Sequence, residues 1–380
     1  MSQTMTVPDY TRLFALDYAG ARAKFLAATA AANCAFASYR HPDAMGPRGE
    51  ELFVDVARLG SAKAKRQLII ISGTHGLEGA SGSAAQIAWL ESSGARKLPP
   101  GVSILLIHAL NPYGFAYGTR TTENNVDLNR NFVDHKRAYP ANPGYDEIFA
   151  KMLPRDWTPA ALTDFGDALA VYREKHGADA LFDALVRGQY THPEGTNYGG
   201  RGREWSNRTL QRIVDEHLGA ARQVGLIDWH TGIGEWGRSF FLCFNEDGSP
   251  LQAEAVRWWG SRSILEQRPH GFARPNYQGL VFNGLAQFLG NRPMVGAVIE
   301  FGTRGPNMRR ALHLDIWLKF RAEKESERVS LLRADLHDAF VPVSSHWREE
   351  TSSQAIEITQ QAVNGLATWS LTPSAAATSS

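Results

Sequence analysis

The chain predicts an α/β fold, a three-layer α/β/α sandwich with helices on both faces of a mixed, mostly parallel sheet. Three observations lead there. Short runs with apolar, β-branched centres, "QLIIISG" (67–73) and "VSILLIHA" (102–109), suit strands covered on both faces. Residues 80–93 read as a helix between them, which makes a strand–helix–strand unit. Strand-like and helix-like segments then keep alternating, as layered α/β domains do.

The elements follow in order. Residues 10–38 predict a helix, since Phe14, Tyr18, Ala21, Phe25 and Ala28 recur at three- and four-residue spacing. "LFVDVA" (52–57) has a polar break among apolar residues and predicts a half-buried strand. Residues 133–224 are long, polar and helical, an insertion or lid rather than a separate domain. Within them 206–222 predicts a helix capped by Ser206 or Asn207. "GLIDWH" (225–230), "SFFLCF" (239–244) and "VGAVIEFG" (295–302) predict further strands. Residues 308–340 carry enough charge for an exposed long helix or a helical pair. The low-complexity end at 371–380 predicts a disordered tail, leaving 1–370 as one domain.

Bulk properties remove several function classes. A net charge of +1 gives no reason to expect nucleic acid or an anionic membrane as partner. Two cysteines, Cys34 and Cys243, cannot build a disulfide framework, and no CxxC pair offers a cysteine zinc site. The N-terminus lacks a basic start followed by an apolar stretch, and no run approaches the roughly 18 apolar residues of a transmembrane helix. The expected location is cytoplasmic. Neither a G-x-x-x-x-G-K phosphate loop nor a G-x-S-x-G nucleophile elbow is present.

Open α/β sheets bind ligands at the carboxyl ends of their strands. "GTHGLEG" follows the first central strand and carries His75 and Glu78 at H-x-x-E spacing; its glycines, Gly73, Gly76 and Gly79, let the chain turn sharply. His230 ends "GLIDWH" and Glu300 ends "GAVIE". With His230, the first two residues make a His/Glu/His set that leaves a fourth position for water, the pattern of catalytic zinc. The stretch "RTTENNVDLNRNF" (120–132) is rich in Arg and Asn donors, either a solvated loop or a grip for an anion.

The ordered motifs "GTHGLEG", "NPYGF…R…DLNRNF", "DWHTG" and "VIEFGT", spanning about 75 to 303, resemble the zinc carboxypeptidase superfamily. That group includes the digestive carboxypeptidases and the aspartoacylase and succinylglutamate desuccinylase branch. The wider chain resembles a bacterial branch known mainly from sequence. The resemblance implies a carboxypeptidase-like fold and one zinc ion held by His75, Glu78 and His230. It implies Arg120 as the group that polarises the scissile carbonyl, and Asn129 with Arg130 as the grip on the substrate's free carboxylate. Glu300 would be the general base acting on the water that zinc activates, a role that needs a carboxylate within hydrogen-bond reach. Tyr277, 23 residues before Glu300, matches a mobile tyrosine of carboxypeptidases; the alternative is aromatic packing in a loop.

The compact segment from Arg120 to Arg130 departs from the digestive enzymes and sits closer to the acylase branch. Asp228, two residues before His230 on a strand, shares its face and either supports the metal site or pairs with an arginine. Asp127 can hold the turn by bonding its own backbone. His108 reads as a core histidine, Asp335 and His337 as a solvated helix face, and His192 as a loop residue that could line the cleft. The leading expectation is a zinc-dependent hydrolase of an amide next to a free carboxylate, with a small peptide as substrate. A deacylase of small N-acyl amino acids is the first alternative. A catalytically silent metal- or ligand-binding protein is the second, and the presence of Glu300 speaks against it. The sequence leaves oligomeric state open.

Overall fold

The computed structural model describes residues 9–266, 268–323 and 326–370; the expected disordered tail at 371–380 lies outside them. Seven strands form one sheet: β1 (Ala35–Met45), β2 (Glu51–Leu59), β3 (Arg66–Ile71), β4 (Val102–His108), β5 (Gln223–Trp236), β6 (Ser239–Cys243) and β7 (Met294–Gly302). Their order is β1-β2-β4-β3-β5-β7-β6. The centre, β4-β3-β5-β7, is parallel, while β1 with β2, β2 with β4, and β6 with β7 pair antiparallel.

The helices run α1 (Tyr18–Ala31), α2 (Gly79–Glu91), α3 (Pro112–Tyr117), α4 (Pro143–Phe149), α5 (Pro159–His176), α6 (Ala178–Val186) and α7 (Trp205–His217). Beyond β6 come α8 (Pro250–Trp259), α9 (Ser261–Leu265), α10 (Val281–Leu289), α11 (Met308–Phe320), α12 (Glu327–Phe340) and α13 (Ser345–Thr368). Side chains alternate across the sheet and so divide the core. Leu68 and Ile70 of β3 join Ile104 and Leu106 of β4 on one face, packed under α1, α2, α8 and α11 to α13. Ile69 and Ile71 join Leu105 and Ile107 on the other face, under α7 and α10. All eight are essentially fully buried, each worth ~1.5–3 kcal/mol of transfer free energy. A third apolar cluster, with Tyr145, Phe165, Leu169 and Leu181, joins α4, α5 and α6 within 133–224.

Three expectations need correction. The predicted helix over 10–38 is a short turn at Thr11–Leu13, then α1, and from Ala35 the chain is edge strand β1. Asn33 breaks the helix at φ 53, and β1's half-exposed pattern hid it from a search for apolar runs. The helix of 206–222 starts one residue earlier, at Trp205 with Glu204 as N-cap; Ser206 and Asn207 lie inside it. The pair within 308–340 is present, but α11 is buried, with Leu314, Asp315, Ile316 and Trp317 among its covered residues. No helix among the described residues is long and apolar enough to cross a membrane.

Candidate active site

Strand register assembles the site. Parallel pairing of β5 with β7 sets His230 opposite Glu300, and pairing of β3 with β5 sets Ile71 opposite Asp228. His75 and Glu78 lie just past the end of β3, so all four residues gather at the carboxyl edge of adjacent strands. Of the three glycines expected to bend this turn, only Gly73 has positive φ, at 66°. Gly76 and Gly79 serve close approach instead: a Cβ on Gly76 would lie 1.9 Å from the Gly114 carbonyl carbon, and one on Gly79 2.4 Å from Phe115.

His75, Glu78 and His230 are 4%, 1% and 2% exposed, and one ligand atom from each falls within 4.8 Å of the others. Glu78 Oε1 is 2.9 Å from His75 Nδ1, Glu78 Oε2 is 3.0 Å from His230 Nδ1, and the two Nδ1 atoms are 3.1 Å apart. A tetrahedral zinc site with bonds near 2.0–2.1 Å has donor–donor edges of about 3.3 Å, and these separations are close to that, so the residue set suits such an ion. The far side of each ring supports the same conclusion. His75 Nε2 donates to Asp127 Oδ1 at 3.1 Å, and His230 Nε2 lies 3.0 Å from Asp228 Oδ2, though not squarely aimed at it. The carboxylate behind His75 favours the proton on Nε2 and an inward Nδ1 lone pair, as in known metal centres, and Asp228 stands behind the His230 ring.

The electrostatics also favour a cation here. Burial opposes charge on Glu78, yet His75 and His230 more than offset it and hold its pKa below the usual range. Burial likewise opposes the His230 imidazolium, but Asp228 and Glu78 hold that pKa well above normal. Glu300 differs. Burial, then the charge of Glu78, pushes it up to about 7, and among the described residues its carboxylate accepts only a 3.3 Å bond, from the Ile233 N–H to Oε2.

Arg120 is locked from several sides. Its Nε donates to Asp127 Oδ2 and its Nη1 to Glu78 Oε1, both at 3.1 Å, and its backbone N–H donates to Asp315 Oδ2 at 2.9 Å. Nη2 has no protein partner among the described residues. Asp127 is the residue whose importance the sequence understated. Its Oδ1 accepts from Asn129 N at 2.8 Å, the expected turn bond, and the same carboxylate also joins His75 to Arg120. Asp315 gave no signal at all, lying 195 residues from Arg120 on a buried helix.

Asn129 Oδ1 accepts from Val281 N at 2.9 Å, which leaves its amide NH₂ for a ligand. Arg130 Nε and Nη2 donate to the Val186 carbonyl and Nη1 donates to the Asn129 carbonyl. Each terminal nitrogen therefore keeps one N–H. Gly188, at φ 108°, makes room: a Cβ there would sit 2.5 Å from Arg130 Cδ. The Tyr277 ring lies 5.2 Å from the Arg130 guanidinium, and burial pushes its phenol up to about 12. His75, Arg120, Asn129, Arg130, His230, Tyr277 and Glu300 all line one cavity of about 160 Å³. Thr196 and Asn197 line it as well, but His192 from the same loop does not; it bonds Asp146 and stacks on Phe149. His108 is a core histidine, stacked on Phe25 at 4.3 Å and bonded to Ser83. Asp335 pairs with Arg304 on the surface.

The family model described as "Protein of unknown function (DUF2817)" matches residues 14–354. No curated protein matches the chain. Among solved structures, the chain is similar to bovine thrombin-activatable fibrinolysis inhibitor in complex with tick carboxypeptidase inhibitor, with TM-score 0.51 and 10% identity over 94% of this chain and 98% of that one. It is similar also to carboxypeptidase A from Helicoverpa armigera, with TM-score 0.44 and 12% identity over 89% of this chain and 77% of that one. The three-layer architecture is thus the carboxypeptidase-like fold expected from the motifs.

Proposed function

Because the chain belongs to the DUF2817 family and has a carboxypeptidase-like fold, we propose that it is a metal-dependent hydrolase cleaving an amide bond next to a free carboxylate. The observation that carries the reading is the inward-facing triangle of His75, Glu78 and His230, with Glu300 beside it and two arginines on the same cavity. Two imidazoles and a carboxylate suit zinc, and other first-row metals accept the same set. When bound, the cation supplies Lewis acidity, polarising the substrate carbonyl and acidifying the attacking water.

The chain's own groups do the rest. Glu300, poised near neutrality, takes the water's proton and returns it to the leaving nitrogen. Arg120 keeps Nη2 free to hold the negative charge that grows on the carbonyl oxygen, and its links to Asp127, Glu78 and Asp315 fix its position beforehand. The Asn129 amide and the two remaining N–H groups of Arg130 receive the substrate's carboxylate. Tyr277 stays protonated at neutral pH and can donate a hydrogen bond over this grip. Blocked dipeptides and N-acyl amino acids, hydrolysed side by side by the zinc-loaded protein, test the reading. No cleavage of either set by protein with full metal content would refute it.

A further inference from the structure

One wall of the cavity carries polar groups that this reaction leaves unused. It takes Met308, Arg309, Leu312 and His313 from α11, with Phe182 and Leu185 of α6 also lining the space. Positions 308, 309, 312 and 313 fall on one helical face. Met308 sets how near that face comes to the reacting groups. A Cβ placed on Gly232, two residues past His230, would lie 3.5 Å from Met308 Cε and 3.8 Å from Glu300 Oε2. Arg309 is the next residue along the chain.

Its surroundings are apolar, with Phe182 and Phe272 at 4.9 Å between ring centroids. The guanidinium is half-buried beside these rings, where a carboxylate partner would be favourable. Arg309 has none: among the described residues its side chain makes no hydrogen bond and no ion pair. Burial and then Arg173 push its pKa down, and no carboxylate opposes them. Glu174 lines an adjoining cavity that Arg309 also walls, without pairing with it. Beside it, His313 is 3% exposed, with Nδ1 bonded to the Arg309 carbonyl at 2.8 Å and Nε2 unpartnered. Burial pushes the imidazole down to about 4, and in either protonation state it offers the guanidinium no negative charge.

We infer that Arg309 is a substrate-binding residue and that the substrate carries a second carboxylate, separated by an apolar segment from the amide that is cleaved. The inference rests on the hydrolase reading for which bond is cut, but not for the anion site itself. The second carboxylate belongs either to the acyl part or to the side chain of the released amino acid, and both present the same chemistry to the guanidinium.

Two measurements test it. The first is calorimetric titration of the metal-loaded protein with adipate against hexanoate and suberate against octanoate, which needs no turnover. At least one diacid should bind ~10-fold tighter than the monoacid of equal length, the size of one charge-assisted contact. Arg309→Gln should bring that ratio to about one, while Arg309→Lys retains most of it. Equal binding of both acids, or a ratio untouched by Arg309→Gln in protein that melts normally, overturns the inference. The second is hydrolysis of paired substrates, N-adipoyl against N-adipamoyl amino acids in one arm and N-acyl-Glu against N-acyl-Gln in the other. A ~10-fold preference for the acid in one arm, lost in Arg309→Gln, supports the inference and locates the carboxylate. Cleavage of all four without preference overturns it. An Arg309-dependent diacid preference without any cleavage removes the hydrolase reading and keeps the anion site.

Discussion

Two walls of the cavity are built on opposite principles. At the floor, charged groups are interlocked before any substrate arrives: Asp127 joins His75 to Arg120, Glu78 joins both histidines to Arg120, and Asp228 stands behind His230. At the α11 wall, Arg309 has no partner among the described residues. The floor grows from the ends of paired strands, where register leaves little freedom. The wall comes from α6 and from α11, which follows β7, and strand register does not set the positions of helix side chains. Preorganised charge suits a step that must be stabilised as it happens. An unpaired charge suits selection, because it gains most when the right ligand brings its partner. Substitutions at the floor should therefore change rate and metal binding, and those at the wall should change which substrate is taken.

The largest expected effect is on the metal. Chelation, or His230→Ala, should abolish hydrolysis, and zinc should restore it only in the wild type, with metal content read by mass spectrometry. Loss of the ion should also lower the melting temperature, since ligand binding to the folded state alone stabilises it. Glu300→Gln comes next. It should cut kcat by about 10²–10⁴ while metal content stays full; an active Glu300→Gln protein would sink the proposed base. Asp127→Asn probes the interlock itself. Weakening the support of a ligand histidine should cost ~10–100-fold in metal affinity, and disturbing a buried ion pair ~3–5 kcal/mol in denaturant unfolding. If both values stay at wild type, the floor is not the linked unit described.

Smaller effects separate the two arginines. Arg130→Ala should mainly raise KM for carboxylate substrates, whereas Arg120→Ala should mainly lower kcat. The smallest is a pH effect on stability. The folded-state pKa of Glu300, about 7, stands above its ordinary 4.5. Between those values the folded protein binds more protons than the unfolded chain, so this group's contribution falls as pH rises and stays low above 7. In the metal-free protein, Glu300→Gln should thus melt higher than wild type above pH 7, with the gap closing below about pH 4.5. For the proposed metal-loaded hydrolase the sign that matters is kinetic. kcat/KM should climb as Glu300 ionises, and the nearby cation should draw that limb below pH 7.

Legibility in the sequence followed burial. β3, β4, β5 and β7 were readable because strands covered on both faces have mostly apolar centres, and β3, β5 and β7 led to His75, His230 and Glu300. β1 was not, because an edge strand with one wet face carries Tyr, Arg, His and Asp like a loop. α13, at 24 residues the longest helix among those described, went unread because its buried residues are spread among polar ones. In the stretch 120–132, the two arginines stood out as grips. Their partners did not: Asn125 bonds the carbonyls of Pro193 and Gly195, Asn124 bonds Glu204, and Arg130 hangs from Val186, all far along the chain.

The sequence by itself determined the sheet's core strands, the order of the motifs and the residue types able to hold a metal, a proton and an anion. These depend on local chemistry, the apolar demand of a buried strand and the few side chains able to ligate or titrate. Tertiary structure alone decided that Asp127 serves two masters, that Asp315 anchors Arg120, and that Arg309 has no partner of its own among the described residues. Those facts depend on which distant segments come within about 3 Å of each other. No periodicity in the chain encodes a hydrogen bond spanning 195 residues.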